Sequence, residues 1–347
     1  MFVHKSCDRI SPMAGDDSIR PTESEPIALS RSSRPLNLRL ISVGAGWIFI
    51  LESVLAAYRL GWFSTGWAHA AGFLVGVHFT PCIWCGYLLV LMGVLGLLSG
   101  TAWIRTFRYR VLALWLWSVP AWCYFDWLNF RFMRNAATGL HAWEYQGLPA
   151  GALDRCIGYF LAFAAIAPAL LLTAEIWRHS AVGRVKSGRV RITRALEILS
   201  LLVGICFFAA PFVLHDPVAN VMIWVSLIFM LDPVNTWCGR PSLIADWRAG
   251  RWGRTLCLML GGLSCGLLWE FWNYWALAKW TYHLPFLGYW SRYHYFAMPL
   301  PGLAGYLGFG PEIWVMWQFS LLLFGSLVEG EQVRCATDRE WRDFACL

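Results

Sequence analysis

The strongest constraint in this sequence is a series of apolar stretches long enough to cross a lipid bilayer. A helix needs about 20 mostly apolar residues to span the hydrocarbon core. Eight stretches meet this requirement, and a ninth, near 68–79, is too short and too rich in Gly and His to be a span. The sequence therefore predicts an all-α, polytopic transmembrane bundle of about eight spans. The predicted spans lie near residues 40–58, 80–98, 111–130, 157–177, 195–214, 218–234, 254–274 and 295–326.

The last of these stretches differs from the others in its content of proline and glycine. Proline lacks a backbone N–H and interrupts a helix, so we expect this span to be broken or kinked. The residues concerned are Pro299, Pro301, Gly302, Gly305, Gly308, Gly310 and Pro311.

The composition excludes an ordinary soluble domain. Of the 347 residues, 58% are hydrophobic and 14% are charged, whereas a soluble chain carries about 25% charged residues. The 23 tryptophans favour an aromatic belt at the membrane interface, and the alternative is that some line a pocket for a long apolar ligand. The net charge of +7 comes from short loops, which indicates membrane orientation and not nucleic-acid binding.

The distribution of positive charge predicts the orientation of the chain. With the N-terminus inside, inner segments hold 22 Lys and Arg residues and outer segments hold 6, as the positive-inside rule requires. We therefore expect a multi-pass protein of a cell inner membrane with both termini cytoplasmic. The predicted segments are a disordered cytoplasmic tail over 1–38, transmembrane units over 39–178 and 195–328, a basic cytoplasmic linker over 179–194 and a cytoplasmic tail over 329–347.

An internal duplication is indicated by motifs that recur in the same order. The offsets between matching motifs are 140, 144, 137, 133 and 137 residues, and the drift requires small insertions. Each copy contains four spans, and because four is even, the two repeats are predicted to be parallel. The matches are Ile83-Trp84 with Ile223-Trp224, Asp126…Asn129 with Glu270…Asn273, Trp143…Tyr145 with Trp280…Tyr282, Phe163…Pro168 with Phe296…Pro301, and Glu175-Ile176-Trp177 with Glu312-Ile313-Trp314.

An acid followed three residues later by an asparagine is the best candidate for chemistry. Asp126 and Asn129 share a helix face, and so do Glu270 and Asn273. An ionisable group inside a span costs at least ~2.5 kcal/mol and usually faces a bundle interior or a cavity. One hypothesis is that a protonated acid delivers a proton to an apolar substrate while the amide orients it. The alternative is that acid and amide only hold helices together by hydrogen bonds.

Three further elements are candidate ligand-binding or structural features. Trp143 and Tyr145, and equally Trp280 and Tyr282, could cover an outward-facing cavity or anchor the chain at the headgroups. Glu312 follows a proline at the start of a half-helix, where the macrodipole favours a carboxylate. We take Glu312 as a ligand-binding candidate with a structural role as the alternative.

Redox, metal and nucleotide chemistry find little support in the sequence. Cys82 and Cys85 form a Cys-x-x-Cys element that looks like the one in quinone-linked disulfide oxidases of bacterial inner membranes. The Arg that follows the motif in that family is absent, and no second cysteine pair is evident. No His pair has metal-ligand spacing, and Gly-rich phosphate loops are absent. We therefore predict no metal and no cofactor.

The motifs together resemble an uncharacterised bacterial multi-span membrane family. The pattern runs from Phe79-Thr-Pro-x-x-Trp84-x-Gly86-Tyr87 through the acid with its Asn and the Trp-x-Tyr to Ala-x-x-x-Pro-Ala-x-x-x-x-x-Glu. That family shows it once per unit, whereas here it occurs twice, with Val225-Ser226-Leu227 as a departure in the second copy. The resemblance implies a membrane protein but no reaction. A weaker similarity is to integral-membrane lycopene and meroterpenoid cyclases, whose paired Glu-Glu element is missing.

Three functions remain open at the level of sequence. The first is a membrane-embedded enzyme on an isoprenoid or other lipid, with Asp126 or Glu270 as general acid. The second is a secondary transporter, because parallel repeats and buried acids suit one. The third is a non-catalytic scaffold. The predicted partners are the bilayer and a lipid ligand, and no nucleic acid; the sequence predicts no oligomeric state.

Overall fold

The computed structural model describes residues 33–328, without the side chains of residues 105–108 and 326–328. Within this range eight helices are long and apolar enough to cross a membrane. The predicted all-α polytopic bundle with eight spans is therefore confirmed. The helices are α1 (Arg34–Arg59), α2 (Gly66–Val77), α3 (Phe79–Ser99), α4 (Trp103–Phe132), α5 (Ala152–Arg178), α6 (Arg194–Leu214), α7 (Ala219–Trp237), α8 (Leu243–Arg248), α9 (Gly253–Trp275) and α10 (Leu303–Val328).

Two of these helices are too short to span, and one helix begins earlier than expected. The apolar stretch near 68–79 forms the 12-residue helix α2. Helix α1 begins at Arg34, inside the predicted tail, and Pro35 occupies its first turn, where a missing N–H costs nothing. The predicted tail segments over 1–32 and 329–347 lie outside the described residues.

The start of the predicted last span is not helical. Residues 294–302 form two very short strands and a 3-10 turn, and α10 begins only at Leu303. Pro299 and Pro301 cannot donate the hydrogen bonds of a helix interior, which explains the later start. Pro311 lies inside α10. The short elements are β1 (Trp143–Gln146), β2 (Lys279–Tyr282), β3 (His294–Tyr295), β4 (Met298–Pro299) and 3-10 helices over Ala181–Arg184, Pro285–Arg292 and Leu300–Gly302.

The order of helix contacts is the same in the two halves of the bundle. In the first half α1 packs on α3, α3 on α5, and α5 on α4. In the second half α6 packs on α7, α7 on α10, and α10 on α9. The halves meet mainly where α5 packs against α9, and the corresponding contact between α4 and α10 is small.

Small residues allow the closest of these approaches. A Cβ at Gly44 in α1 would lie 2.5 Å from the carbonyl oxygen of Gly86 in α3. A Cβ at Gly262 or Gly310 would meet the backbone across the α9–α10 contact. Tight packing through small residues is a common source of helix association in bilayers, where water supplies no hydrophobic driving force.

A two-stranded ribbon joins the halves at one end of the bundle. Strand β1 follows α4 and strand β2 follows α9, and the two pair antiparallel. Trp143 lies opposite Tyr282, and Tyr145 lies opposite Trp280. The Trp-x-Tyr elements, 137 residues apart in the sequence, are therefore direct neighbours in the fold.

Candidate functional site

A cavity of about 520 Å³ lies beneath the ribbon. Its wall comes from both halves of the bundle and is strongly aromatic. A mostly apolar cleft of a few hundred Å³ with a few polar groups is typical of a small-molecule site. The aromatic wall includes Trp84, Trp122, Trp143, Tyr145, Tyr159, Phe163, Trp224, Trp269, Trp280, Tyr282, Tyr306 and Phe309.

The ribbon forms the roof of the cavity with one face. Side chains alternate along a strand, so Trp143 and Tyr145 share a face with Trp280 and Tyr282. All four line the cavity. Of the two sequence hypotheses for these residues, a cover for an outward-facing cavity and anchoring at the headgroups, the geometry is compatible with the first.

The first tyrosine of the ribbon binds a carboxyl group. The Tyr145 hydroxyl donates to Asp126 Oδ1 at 3.0 Å and lies 3.1 Å from Oδ2. The Trp143 indole N–H donates to Asp126 Oδ1 at 3.0 Å, and the Trp122 indole donates to the Tyr145 oxygen at 3.2 Å. Asp126 therefore lies behind the tyrosine and is absent from the residues that line the cavity.

The second tyrosine repeats this arrangement with a glutamate. The Tyr282 hydroxyl donates to Glu270 Oε1 at 2.8 Å, and the Tyr306 hydroxyl donates to the same atom at 2.6 Å. The Trp280 indole donates to the Tyr282 oxygen at 2.6 Å. Glu270 is fully buried, and its Oε2 has no hydrogen-bond partner among the described residues. Like Asp126, it reaches the cavity only through a phenol.

The two asparagines hold the ribbon and do not bond to the carboxyls. Asn273 donates from Nδ2 to the Trp280 carbonyl at 2.8 Å and accepts the Trp280 N–H at 2.9 Å. Asn129 makes the same pair of contacts with Trp143, at 2.9 and 3.4 Å. We expected the amides to orient the carboxyls, and in the structure they do not. Each amide instead fixes the backbone of the tryptophan in the Trp-x-Tyr element that follows it.

The environment of the ribbon favours neutral phenols. Burial and the neighbouring Asp126 carboxyl raise the pKa of Tyr145 well above its usual range. Burial and Glu270 do the same to the pKa of Tyr282. A phenol held neutral keeps its proton for a hydrogen bond, so both tyrosines remain donors at neutral pH.

The other face of the ribbon is polar and partly buried. Glu144 Oε1 accepts the backbone N–H of His141 at 2.9 Å and lies 2.8 Å from its Nδ1. Burial works against the Glu144 anion, but these hydrogen bonds from His141 outweigh it, so its pKa is lowered. Gln146 donates to Thr281 across the strands at 3.2 Å.

Two tryptophans line the cavity at equivalent places in the two halves. Trp84 in α3 packs on Trp269 in α9, with ring centroids 5.2 Å apart. Trp224 in α7 stacks on Phe125 in α4 at 5.1 Å. Each tryptophan therefore packs on a helix of the opposite half. Such aromatic pairs contribute about 0.5–1.5 kcal/mol beyond the burial of their area.

Glu312, a candidate from the sequence, and two other buried acids do not line the cavity. Glu312 is fully buried between α7 and α10, where its Oε1 accepts the Leu227 N–H at 3.2 Å, and it is not part of the cavity wall. Asp232 accepts the N–H groups of Leu243 and Ile244 at 2.9 Å each and so caps α8. Glu175 pairs with Arg178.

Two important neighbours of the ribbon tyrosines and their acids were not predicted. Tyr306 comes from α10 and binds Glu270, and Trp122 comes from α4 and binds Tyr145. At the offset of 144 residues that relates the two acids, Trp122 corresponds to Gly266. A Cβ at Gly266 would overlap the Tyr306 ring, so the glycine leaves room for the tyrosine. The change from Trp122 in the first half to Gly266 in the second was the one sequence feature that could have indicated the different neighbour of Glu270.

The two cysteines of the Cys-x-x-Cys element lie near the cavity and do not form a disulfide with each other. Cys82 is half-buried and Cys85 is exposed, and both thiols are free among the described residues. Neither lines the cavity.

No protein-family model, no curated protein and no solved structure matches this chain significantly.

Proposed function

We propose that this protein is a membrane-embedded acid–base enzyme that acts on an isoprenoid or other lipid substrate in the cavity beneath the ribbon. One observation supports this most strongly. Two tyrosines, one from each half, line one apolar cavity, and each is hydrogen-bonded to a carboxyl that lies within a span. Paired titratable groups around a cavity are a common arrangement for general acid–base work.

In this proposal the tyrosines contact the substrate and the carboxyls exchange protons with them. The proton that Tyr282 gives to or takes from substrate is shared with Glu270 Oε1, and Asp126 serves Tyr145 in the same way. One pair delivers a proton while the other removes one. The proton count of the protein then stays constant, so an isomerisation or a cyclisation would need no cofactor.

The proposal also includes the duplication and the cellular location. Equivalent helix contacts in the two halves and the pairing of β1 with β2 support two parallel four-span repeats. The excess of Lys and Arg on one side supports an inner-membrane protein with cytoplasmic termini. The ribbon and the cavity would then lie toward the non-cytoplasmic side.

The experiment compares lipid extracts from cells that express the protein and its variants. We expect a lipid species that accumulates with the wild-type protein and an isomer of equal mass that is depleted. Tyr282→Phe and Glu270→Gln should lower this accumulation roughly 100-fold or more, because general acid–base catalysis contributes 10²–10⁴ in rate. Identical extracts with and without the wild-type protein would refute the enzyme, and full accumulation in both variants would refute the roles of Tyr282 and Glu270.

A matched control uses a tyrosine far from the cavity. Tyr109 is 66% exposed near the opposite end of α4, so Tyr109→Phe should accumulate the product like the wild type. Loss of product in this variant too would show that removal of any phenol damages the protein, and the assignment of Tyr282 would fail.

Transport is the second candidate, because the cavity lies between two halves that have the same order of helix contacts. Carriers with parallel repeats bind their substrates at such an interface. Proton-coupled uptake into vesicles that is lost in Asp126→Asn, with no change in lipid composition, would favour the carrier over the enzyme.

A further inference from the structure

We infer that the ligand of the cavity is a neutral lipid alcohol, an apolar molecule that ends in a hydroxyl group, and not a hydrocarbon or an anionic lipid. The inference rests on the proposed function, because it names the substrate class of the same cavity. It depends on which polar atoms of the wall remain able to bond.

The ribbon tyrosines are able to accept one more hydrogen bond each. The Tyr145 hydroxyl donates to Asp126 and accepts from Trp122. The Tyr282 hydroxyl donates to Glu270 and accepts from Trp280. A hydroxyl oxygen has two acceptor lone pairs, so an acceptor position is left on Tyr145. Tyr282 also lies 3.1 Å from the Tyr306 hydroxyl. Because both phenols donate their single proton to Glu270 Oε1, neither donates to the other, and Tyr282 also keeps one acceptor position.

A ligand hydroxyl suits this arrangement and a hydrocarbon does not. The O–H of an alcohol can donate to a phenol oxygen, whereas an alkene has no such group. A carboxylic acid that protonates carbon must touch the carbon, and Asp126 and Glu270 do not line the cavity. The direct protonation of a polyene, which the similarity to cyclases suggested, is therefore less suited to this geometry.

Two polar atoms of residues in the cavity wall are unpaired. Trp84 and Asn220 line the cavity and are 1% and 7% exposed. The Trp84 indole N–H and Asn220 Oδ1 have no hydrogen-bond partner among residues 33–328. Buried polar groups are rarely left without a partner. A hydroxyl can pair with either atom, as an acceptor from the indole or as a donor to the amide oxygen, and a hydrocarbon can pair with neither.

The charges around the cavity do not favour an anionic head group. Arg155 lines the wall, and its guanidinium donates to the Pro149 carbonyl at 3.4 Å. Lys279 also borders the cavity, yet its ammonium group bonds to the Tyr274 carbonyl at 3.4 Å. Strand alternation places that side chain on the face opposite Trp280. His78 pairs with Asp154 at 3.1 Å.

The test measures binding of four matched probes to the full chain in lipid nanodiscs. The probes are farnesol, farnesyl methyl ether, farnesene and farnesyl phosphate, which share one chain and differ in the head group. We expect farnesol to bind about tenfold more tightly than the ether, the hydrocarbon and the phosphate, as one well-made hydrogen bond allows. Equal affinity for all four, tightest binding of the phosphate, or binding of none would overturn the inference.

Variants then locate the preference within the cavity. Tyr145→Phe should reduce the advantage of farnesol over the ether to about threefold or less and leave the affinity for the ether unchanged. Tyr109→Phe should keep the full advantage. A full advantage in Tyr145→Phe would contradict the assigned site. Because binding needs no turnover, farnesol binding without any change in cellular lipids would refute only the enzyme.

Discussion

At the scale of single residues, each candidate carboxyl is separated from the cavity by a tyrosine. The sequence could predict the acid, the asparagine on the same helix face and the Trp-x-Tyr element that follows. It could not predict that the amide bonds to the strand, because this depends on the path of the chain between Asn129 and Trp143, which are 14 positions apart. In the proposed enzyme, Asp126 would therefore exchange protons with Tyr145 and would not act directly on the substrate.

The contacts of Asn273 predict a large loss of stability on its removal. Asn273 is fully buried and makes two short hydrogen bonds to the Trp280 backbone. Asn273→Ala leaves a buried donor and acceptor unsatisfied, so we expect the free energy of unfolding to fall by about 2–4 kcal/mol. Asn129→Ala should cost less, because one of its contacts is 3.4 Å long. Unfolding in mixed micelles, followed by circular dichroism, measures both.

A control for this series is Gln146→Ala at an exposed position on the polar face of the ribbon. Gln146 has one hydrogen bond, to Thr281, and exposed substitutions usually change stability by less than about 0.5 kcal/mol. An Asn273→Ala protein as stable as Gln146→Ala would show that the amide does not hold the strand.

Gly266 gives a second prediction at the scale of one residue. A Cβ at this position would overlap the ring of Tyr306, whose hydroxyl binds Glu270. We expect Gly266→Ala to lower the free energy of unfolding by about 1–3 kcal/mol through overpacking. Gly46→Ala in α1 is the matched control, because a Cβ there meets nothing within 4 Å and alanine favours the helix. The account fails here if the two variants are equally stable.

At the scale of elements, the helices were predictable and the ribbon was not. The thickness of the bilayer requires each span to be a long apolar stretch, so hydropathy locates every span of the described chain. Strands of four residues carry no comparable pattern, and the pairing of β1 with β2 joins parts of the chain 137 residues apart. The late start of α10 follows from prolines that the sequence did show.

The two tyrosine–carboxyl pairs differ in a way that only the assembled helices reveal. In the first half the third partner is Trp122 of α4, and in the second half it is Tyr306 of α10. Because Tyr306 arrives from a different helix, no local pattern could relate it to Glu270. The difference provides two acids in unequal surroundings, which an acid–base pair requires.

At the scale of the whole molecule, the site belongs to neither half alone. The cavity wall takes residues from α3, α4 and α5 and from α7, α9 and α10. The backbones of α5 and α9 approach closely, whereas α4 and α10 make few backbone contacts. Large side chains bridge α4 and α10, as the ring centroids of Trp122 and Phe309, 5.9 Å apart, show.

The pairing of the two strands over one cavity is tested most directly by a disulfide. Glu144 and Thr281 lie opposite each other, on the face turned away from the cavity. Directly opposed residues of antiparallel strands have Cα atoms about 4.5–5.5 Å apart, which suits a disulfide. The measurement uses Glu144→Cys with Thr281→Cys in a chain that carries a protease site between residues 184 and 191.

After oxidation and cleavage, we expect the two halves to migrate together on a non-reducing gel and apart on a reducing one. Each single variant should give separate halves under both conditions, which controls for the native cysteines. The pairing of the strands would be contradicted if the halves of the double variant never cross-link and an impermeant thiol reagent labels positions 144 and 281 from opposite sides of the membrane.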